Sequence, residues 1–206
     1  MIKWVSLPEF VPYPEAIAAM EAKVAQIAGG ATEEIWLLEH PPLYTAGTSA
    51  KAHDLLDAAL PVYQSGRGGQ YTYHGPNMRI IYAMLNLKVR YAPKVPDVRH
   101  YVQTMEQWII DVLQEFGIKG ELREGRVGIW VATKHSEAKI AALGIRISKG
   151  VSYHGLAINL NPDLSHYNGI VPCGIKQYGV TSMHQLGVTI SMNELDCAIK
   201  QHCPFI

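Results

Sequence analysis

Residues 127–161 read VGIWVATKHSEAKIAALGIRISKGVSYHGLAINLN, and the pattern of this stretch decides the fold. Val127–Thr133, Lys139–Ile147 and Ser152–Asn161 each alternate or run apolar with β-branched residues, and glycines separate them. They read as consecutive antiparallel strands. Just upstream, Val98, Tyr101, Val102, Met105, Trp108, Ile109, Val112, Leu113 and Phe116 recur at three- and four-residue spacing. That makes one apolar stripe on a helix over Val98–Phe116, with Asp97 placed to cap its start and Gly117 to end it. The stripe is core, not a cofactor box.

Further out, Ile2–Leu7 reads as a strand, and Pro14 and Gly29-Gly30 bracket a helix over Glu15–Ala28. Ile35–Glu39 is a short apolar run suited to a buried strand, stopped by Pro41-Pro42. Strands are expected at Val62–Gln64 and Arg79–Leu87, with a glycine-rich loop between them. Ser191 and Glu194 form a capping-box pattern for a last helix from Met192. No repeat or linker interrupts the 206 residues, so the expectation is a single domain over 1–206 of the α+β (mixed α/β) class, a mixed sheet flanked by helices. Strand order is left open.

Composition narrows the function classes. Lys and Arg together number 18, as do Asp and Glu, and no apolar run reaches the length of a membrane span. Neither a nucleic-acid footprint nor a membrane anchor is expected. The N-terminus carries no basic, apolar, small-residue leader, which points to a chain that stays in the cytoplasm. Cysteines at 173, 197 and 203 make neither a disulfide framework nor a zinc-site spacing. Residues 67–149 hold thirteen basic and seven acidic groups, a net +6 inside a neutral whole. Each such charge is ordinarily solvated surface, but together they suit an acidic partner protein, with Arg79, Lys88, Arg90 and Lys94 as the expected contacts.

Three segments carry potential chemistry. In RGGQYTYHGP (67–76), glycines let a ligand approach the backbone, yet the segment fits neither the phosphate-loop nor the dinucleotide pattern, and alone it reads as a tight turn between strands. In KIAALGIR (139–146), Lys139 starts an otherwise apolar strand. It is either a solvated strand end or a lysine projecting into a cleft. In Pro172-Cys173-Gly174, proline and glycine fix and open the backbone around a thiol, and the local amides could serve an oxyanion. Cys197 and Cys203 read as small packing residues. A thiol near its ordinary pKa is only a few per cent thiolate at neutral pH. An ammonium about 4 Å away at an effective dielectric near 20 would favour the thiolate by roughly 4 kcal/mol before desolvation opposes it. His74 and His154 each precede glycine, and either could partner Cys173; pocket-lining or loop-shaping roles suit them better.

Taken in order, RGGQYTYHGP, KIAALGIR, SYHGLAINLNPDL and VPCGI resemble the octanoyl-[acyl-carrier-protein]:protein N-octanoyltransferases of lipoate biosynthesis, from about residue 40 to residue 182. The resemblance implies the fold of biotin and lipoate protein ligase catalytic domains. It implies a thioester intermediate on Cys173 and a pKa-lowering role for Lys139. It also implies substrate contacts from Arg67, Gly68, Gly69, Gln70, Tyr71, Thr72, Tyr73 and His74, from Ala142, Leu143 and Gly144, and from Gly155, Leu156 and Ala157. The implied donor is octanoyl-acyl carrier protein. The implied acceptors are lysines on the lipoyl domains of 2-oxoacid dehydrogenase complexes and on the glycine cleavage H protein. A thioester is already activated, so no ATP, metal or redox cofactor is required. One departure stands out: such chains usually continue HGP with Gly-Gln, where this one has Asn77-Met78. Asparagine tolerates positive φ, so the loop is expected to keep its path; Met78 lacks the amide's donor and acceptor. The competing readings are an ATP-dependent lipoate or biotin ligase on the same fold, a thiol hydrolase or amidase, and a non-catalytic acyl-carrier binding module.

Overall fold

The structure is a computed structural model and describes residues 1–133, 136–171 and 178–206. Its strands are β1 (Lys3–Phe10), β2 (Glu34–Glu39), β3 (Leu43–Ala46), β4 (Val62–Gln64), β5 (Tyr71–His74), β6 (Met78–Met84), β7 (Glu121–Arg123), β8 (Arg126–Ala132), β9 (Glu137–Ser148), β10 (Val151–Asn159) and β11 (Gly179–Val180). Its α-helices are α1 (Tyr13–Ala28), α2 (Leu87–Arg90), α3 (Val98–Glu115) and α4 (Met192–Gln201). Among the described residues the large sheet runs β1-β2-β6-β10-β9-β8-β7, with β11 added to β9, and a small sheet runs β4-β3-β5. The large sheet is mixed: β1 joins β2 in parallel, and the neighbours from β2 to β7 are antiparallel. The three strands expected over Val127–Asn161 form as consecutive antiparallel neighbours.

Alternation explains why the inner strands look continuously apolar. Along β2, Ile35 and Leu37 point to one face and Trp36 and Leu38 to the other; along β6, Ile81 and Ala83 oppose Ile80 and Tyr82. Each face is covered, so both sets must be apolar. On the first face lie α3 and α4, where Trp108, Ile109, Val112 and Leu113 meet Leu195 and Ile199 and Trp108 Nε1 donates to Ile199 O at 2.9 Å. On the second lie α1, through Met20, Val24 and Ile27, and the small sheet. Asp97 caps α3 by accepting the His100 N–H (2.9 Å), and Ser191 and Glu194 form the reciprocal capping box of α4. No helix among the described residues is long and apolar enough to cross a membrane.

Two expectations are corrected. The strand expected over Arg79–Leu87 ends at Met84, and Leu87 instead opens α2, capped by Asn86 Oδ1 accepting from Val89 N (3.2 Å). The segment read as a tight turn holds a strand, β5, because Leu43–Ala46 pairs with Tyr71–His74 in antiparallel register. That long-range pairing overrides the local glycine signal.

Candidate active site

A cavity of about 460 Å³ lies where the Arg67–His74 segment meets β9 and β10. The β9–β10 register sets Ala142 beside Ala157, Leu143 beside Leu156 and Gly144 beside Gly155. Positions eleven to fifteen residues apart in the chain thereby become adjacent patches of one wall. All six residues line the cavity, as do Arg67, Gly68, Gly69, Gln70, Tyr71, Thr72 and His74. Tyr73 is the predicted substrate contact that the fold takes elsewhere. Its ring packs edge-on to Tyr44 and Tyr167 and near His166, in the core behind the small sheet.

Arg67 fixes this wall. Its guanidinium is buried and donates to Gly68 O (2.9 Å), Thr45 O (2.9 Å), Thr45 Oγ1 (2.7 Å) and Gln70 O (3.0 Å). Gly68 N in turn donates to Ile145 O (2.9 Å), tying the loop to β9. The fit leaves no room for a side chain at position 144, where a Cβ would stand 2.9 Å from Arg67 Cδ and 3.0 Å from Gly68 O. At position 155 a Cβ would come within 2.2 Å of Ile81 O.

Behind the wall sits a set of neutral histidines. His40 Nδ1 lies 2.6 Å from Val11 O and Nε2 lies 2.7 Å from the Tyr82 hydroxyl. These contacts are satisfied by a neutral ring that donates to the carbonyl and accepts from the phenol. Burial pulls His40 down to about 4 and His154 down to about 3, the latter helped by the nearby Arg67 and Arg146 charges. Burial first, then the cost of a second positive ring beside His40 and the nearby Arg67 charge, hold His74 well below the ordinary histidine range. His74 Nδ1 and Gln70 Oε1 are buried without hydrogen-bond partners among the described residues. Both residues line the cavity, so these polar atoms are available to a ligand or water there.

Lys139 is buried, not a solvated strand end. Its Nζ donates to Val127 O at 2.7 Å and lies 4.9 Å from the Trp130 ring centre, and Val127 lines the cavity. Parallel to this part of β9 runs β11, with Gly179 paired to Ala138 and Val180 to Lys139, and Thr181 N donates to Lys139 O (2.9 Å). Tyr178 meets Trp130 edge-on at 5.6 Å, and the Arg126 guanidinium stacks on both rings, 4.2 Å from Tyr178 and 4.7 Å from Trp130. On the other side Val171 N donates to Asp54 O (2.7 Å). Cys173, and the Cys173–Gly174 amides considered for an oxyanion, lie outside the described residues.

Tyr13, Ile80, Tyr82, Val102, Arg126 and Val127 also line the cavity without having been marked by the sequence. Val102 belongs to the α3 stripe, where period alone cannot tell core from cavity. The others come from distant elements whose meeting only the fold reveals.

The family model for the lipoyl protein ligase A/B catalytic domain matches residues 12–203. An octanoyltransferase of Paracoccus denitrificans is 52% identical, covering 98% of this chain and 95% of its own. An octanoyltransferase of Paramagnetospirillum magneticum is 54% identical, with the same shares covered. In fold, the chain is similar to a bipartite lipoate protein ligase from Thermoplasma acidophilum, with a TM-score of 0.74 at 14% identity over 98% of this chain and 82% of that one.

Proposed function

The chain belongs to the lipoyl protein ligase A/B catalytic-domain family, among its octanoyltransferases, and on that premise we propose that Cys173 carries the octanoyl group and Lys139 moves the protons. The reaction is octanoyl transfer in protein lipoylation. In the first step the Cys173 thiolate attacks the carbonyl carbon of the donor thioester. A carbon–sulfur bond to Cys173 forms, the bond to the donor's sulfur breaks, and the departing thiolate takes a proton from the Lys139 ammonium. In the second step the acceptor lysine's amine attacks the Cys173 thioester. Its proton passes to the neutral Lys139 amine, an amide forms, and the Cys173 thiolate is released.

The observation that carries this reading is the placement of Lys139, a buried amine against the carbonyl of a cavity-lining residue. The strand that follows the Cys173 segment supports it. Position 173 is six chain steps before Gly179, which pairs beside Lys139's neighbour Ala138, so covalent geometry keeps 173 within about 20 Å of Gly179. The walls suit the acyl chain. Leu143, Leu156, Ile80, Val102 and Val127 offer apolar surface, and each methylene removed from water contributes about 0.8 kcal/mol. Octanoyl-acyl carrier protein is the proposed donor. Lipoyl domains of 2-oxoacid dehydrogenase complexes and the glycine cleavage H protein are the proposed acceptors.

Intact-mass analysis after incubation with octanoyl-acyl carrier protein tests the scheme. An octanoyl increment mapping to Cys173, and discharged when a lipoyl domain is added, is the expected result. Full activity in Cys173→Ser, with ATP required, would replace the scheme by the adenylate-forming chemistry of a ligase.

A further inference from the structure

The net +6 of residues 67–149 is not a uniformly basic face, because the fold neutralises or buries much of it. Arg79, expected to meet a partner, is buried and paired with Asp196 (Nε–Oδ1 2.8 Å). Arg90, also expected there, is held by Glu33 (2.5 Å). Arg123 and Arg126 share Glu137, Lys119 pairs with Glu121, and Lys139 and Arg67 are buried. Among the described residues, five exposed basic side chains have no ion-pair partner: Lys51, Lys88, Lys94, Arg99 and Lys149.

Four of these five gather on one surface. Leu87 N donates to Gly150 O (2.9 Å), and the Lys88 side chain lies against Gly150, which sets α2 beside the β9–β10 turn that carries Lys149. Lys94 N donates to Tyr91 O (2.8 Å), and the Tyr91 ring meets His100 edge-on, which ties the α2–α3 connection to the first turn of α3, where Arg99 stands. The only acid in residues 86–104 is Asp97, already engaged as the α3 cap. Between these cations the chain exposes apolar side chains that it buries elsewhere: Val95 is 86% exposed, Val89 70% and Val98 43%. Exposed valines interspersed in the chain with unpaired cations are the composition of a docking surface. One helical turn beyond Val98, on the same face of α3, Val102 lines the cavity.

We propose that Lys88, Lys94, Arg99 and Lys149, with Val89, Val95 and Val98 among them, form the docking surface for an acidic carrier protein that delivers the acyl thioester to the cavity past Val102. The inference rests on the carrier-thioester reading of the reaction. Charge complementarity selects the occupant: four unopposed cations steer an acidic protein and add nothing for a small neutral thioester. The lipoyl-domain acceptor is the alternative occupant, and the two half-reactions separate it from the donor.

The experiment measures Cys173 acylation by rapid-quench mass analysis in K88E/K94E/R99E, with octanoyl-acyl carrier protein and, separately, octanoyl-pantetheine as donors. Expected is a fall in the second-order rate with the carrier of on the order of 10- to 100-fold at low salt. The deficit should shrink severalfold near 0.5 M salt, where screening shortens the range of charge, and the pantetheine rate should stay within about twofold. V95S should lower the carrier rate with no salt dependence. An unchanged carrier rate, or equal losses with both donors, overturns the proposal. Normal acylation combined with slowed discharge onto a lipoyl domain also overturns it, in favour of acceptor docking. No adduct from either donor in the unsubstituted protein would instead sink the Cys173 scheme, so the two failures are distinguishable.

Discussion

Arg67 and Arg126 both border the cavity, and the fold holds them in different ways. Arg67 lies buried with its guanidinium donating to three backbone carbonyls and one threonine hydroxyl. Arg126 is stacked between the rings of Trp130 and Tyr178 and paired with Glu137, which Arg123 also engages. The first arrangement locks backbone to backbone and makes a stiff wall. The second is built from side chains, beside Lys139, and it can yield without unravelling a strand. Shape and reactivity are thus supported separately: hydrogen-bonded main chain sets the wall proposed to hold the acyl chain, and the Trp130 ring beneath Arg126 lies 4.9 Å from the amine proposed to move protons.

The sharpest way to break that division is to remove one cation from each side. Lys139→Met should lower Cys173 acylation by about 10³-fold, within the range general acid–base groups contribute. Its stability should change by no more than about 2 kcal/mol, the cost of leaving Val127 O unpartnered. Arg67→Met should do the reverse, costing roughly 3–5 kcal/mol because several buried acceptors lose their donor together. Rapid-quench acylation and urea midpoints on both variants give the answer. Equal stability losses would mean that wall and corner are one cooperative unit.

Acid titrates the buried histidines behind the wall. His40 and His154 titrate near 4 and near 3 in the fold, against 6.5 ordinarily, and His74 lies lower than its ordinary value too. Between pH 6.5 and about 4 the unfolded chain therefore binds protons that the native protein does not. Stability is complete above 6.5 and falls as pH drops through that window, by about 1.4 kcal/mol per pH unit for each histidine. His154 adopts φ 59, so His154→Asn keeps a residue that tolerates this backbone and should make the slope shallower by that amount. Urea unfolding at pH 7, 6 and 5 measures it. A wild-type midpoint that does not move would show these rings to be hydrated.

What was legible in the chain divides along the same line. The α3 stripe, the run Val127–Asn161 and the Ser191–Glu194 cap depend on local period and spacing, and each forms as an element within one or two residues of its expected bounds. The pairing that places Leu143 on Leu156 depends on register, which the core and the β9–β10 turn decide together. β5 was hidden because its partner, Leu43–Ala46, lies some twenty-five residues upstream. Arg79 looked like a surface cation because nothing near it in sequence announces Asp196. Tyr13 and Arg126 carry no local mark of the cavity at all.

The smallest expected effect lies at the turn leading from the wall into β6. Asn77 adopts φ 62, the left-handed region, and its N–H donates to Glu39 Oε2 (2.6 Å) while its carbonyl accepts from Asn161 N (3.0 Å). The loop thus holds a conformation open to glycine, the residue more usual after HGP, and asparagine supports it at little strain. Met78, where glutamine is more usual, is fully buried in the core beneath α1 and the small sheet, so its side chain packs and does not hydrogen-bond. Asn77→Gly should leave stability within about 0.5 kcal/mol of wild type, and Asn77→Ala should cost about 1 kcal/mol, because a Cβ without a compensating side-chain amide disfavours positive φ. Acylation of Cys173 should be unaffected by either change, since both act on the frame and neither touches Lys139. A tenfold slower acylation in Asn77→Ala at unchanged urea midpoint would show that the turn reports to the reactive corner, and the separation of wall from chemistry would then fail at its weakest link.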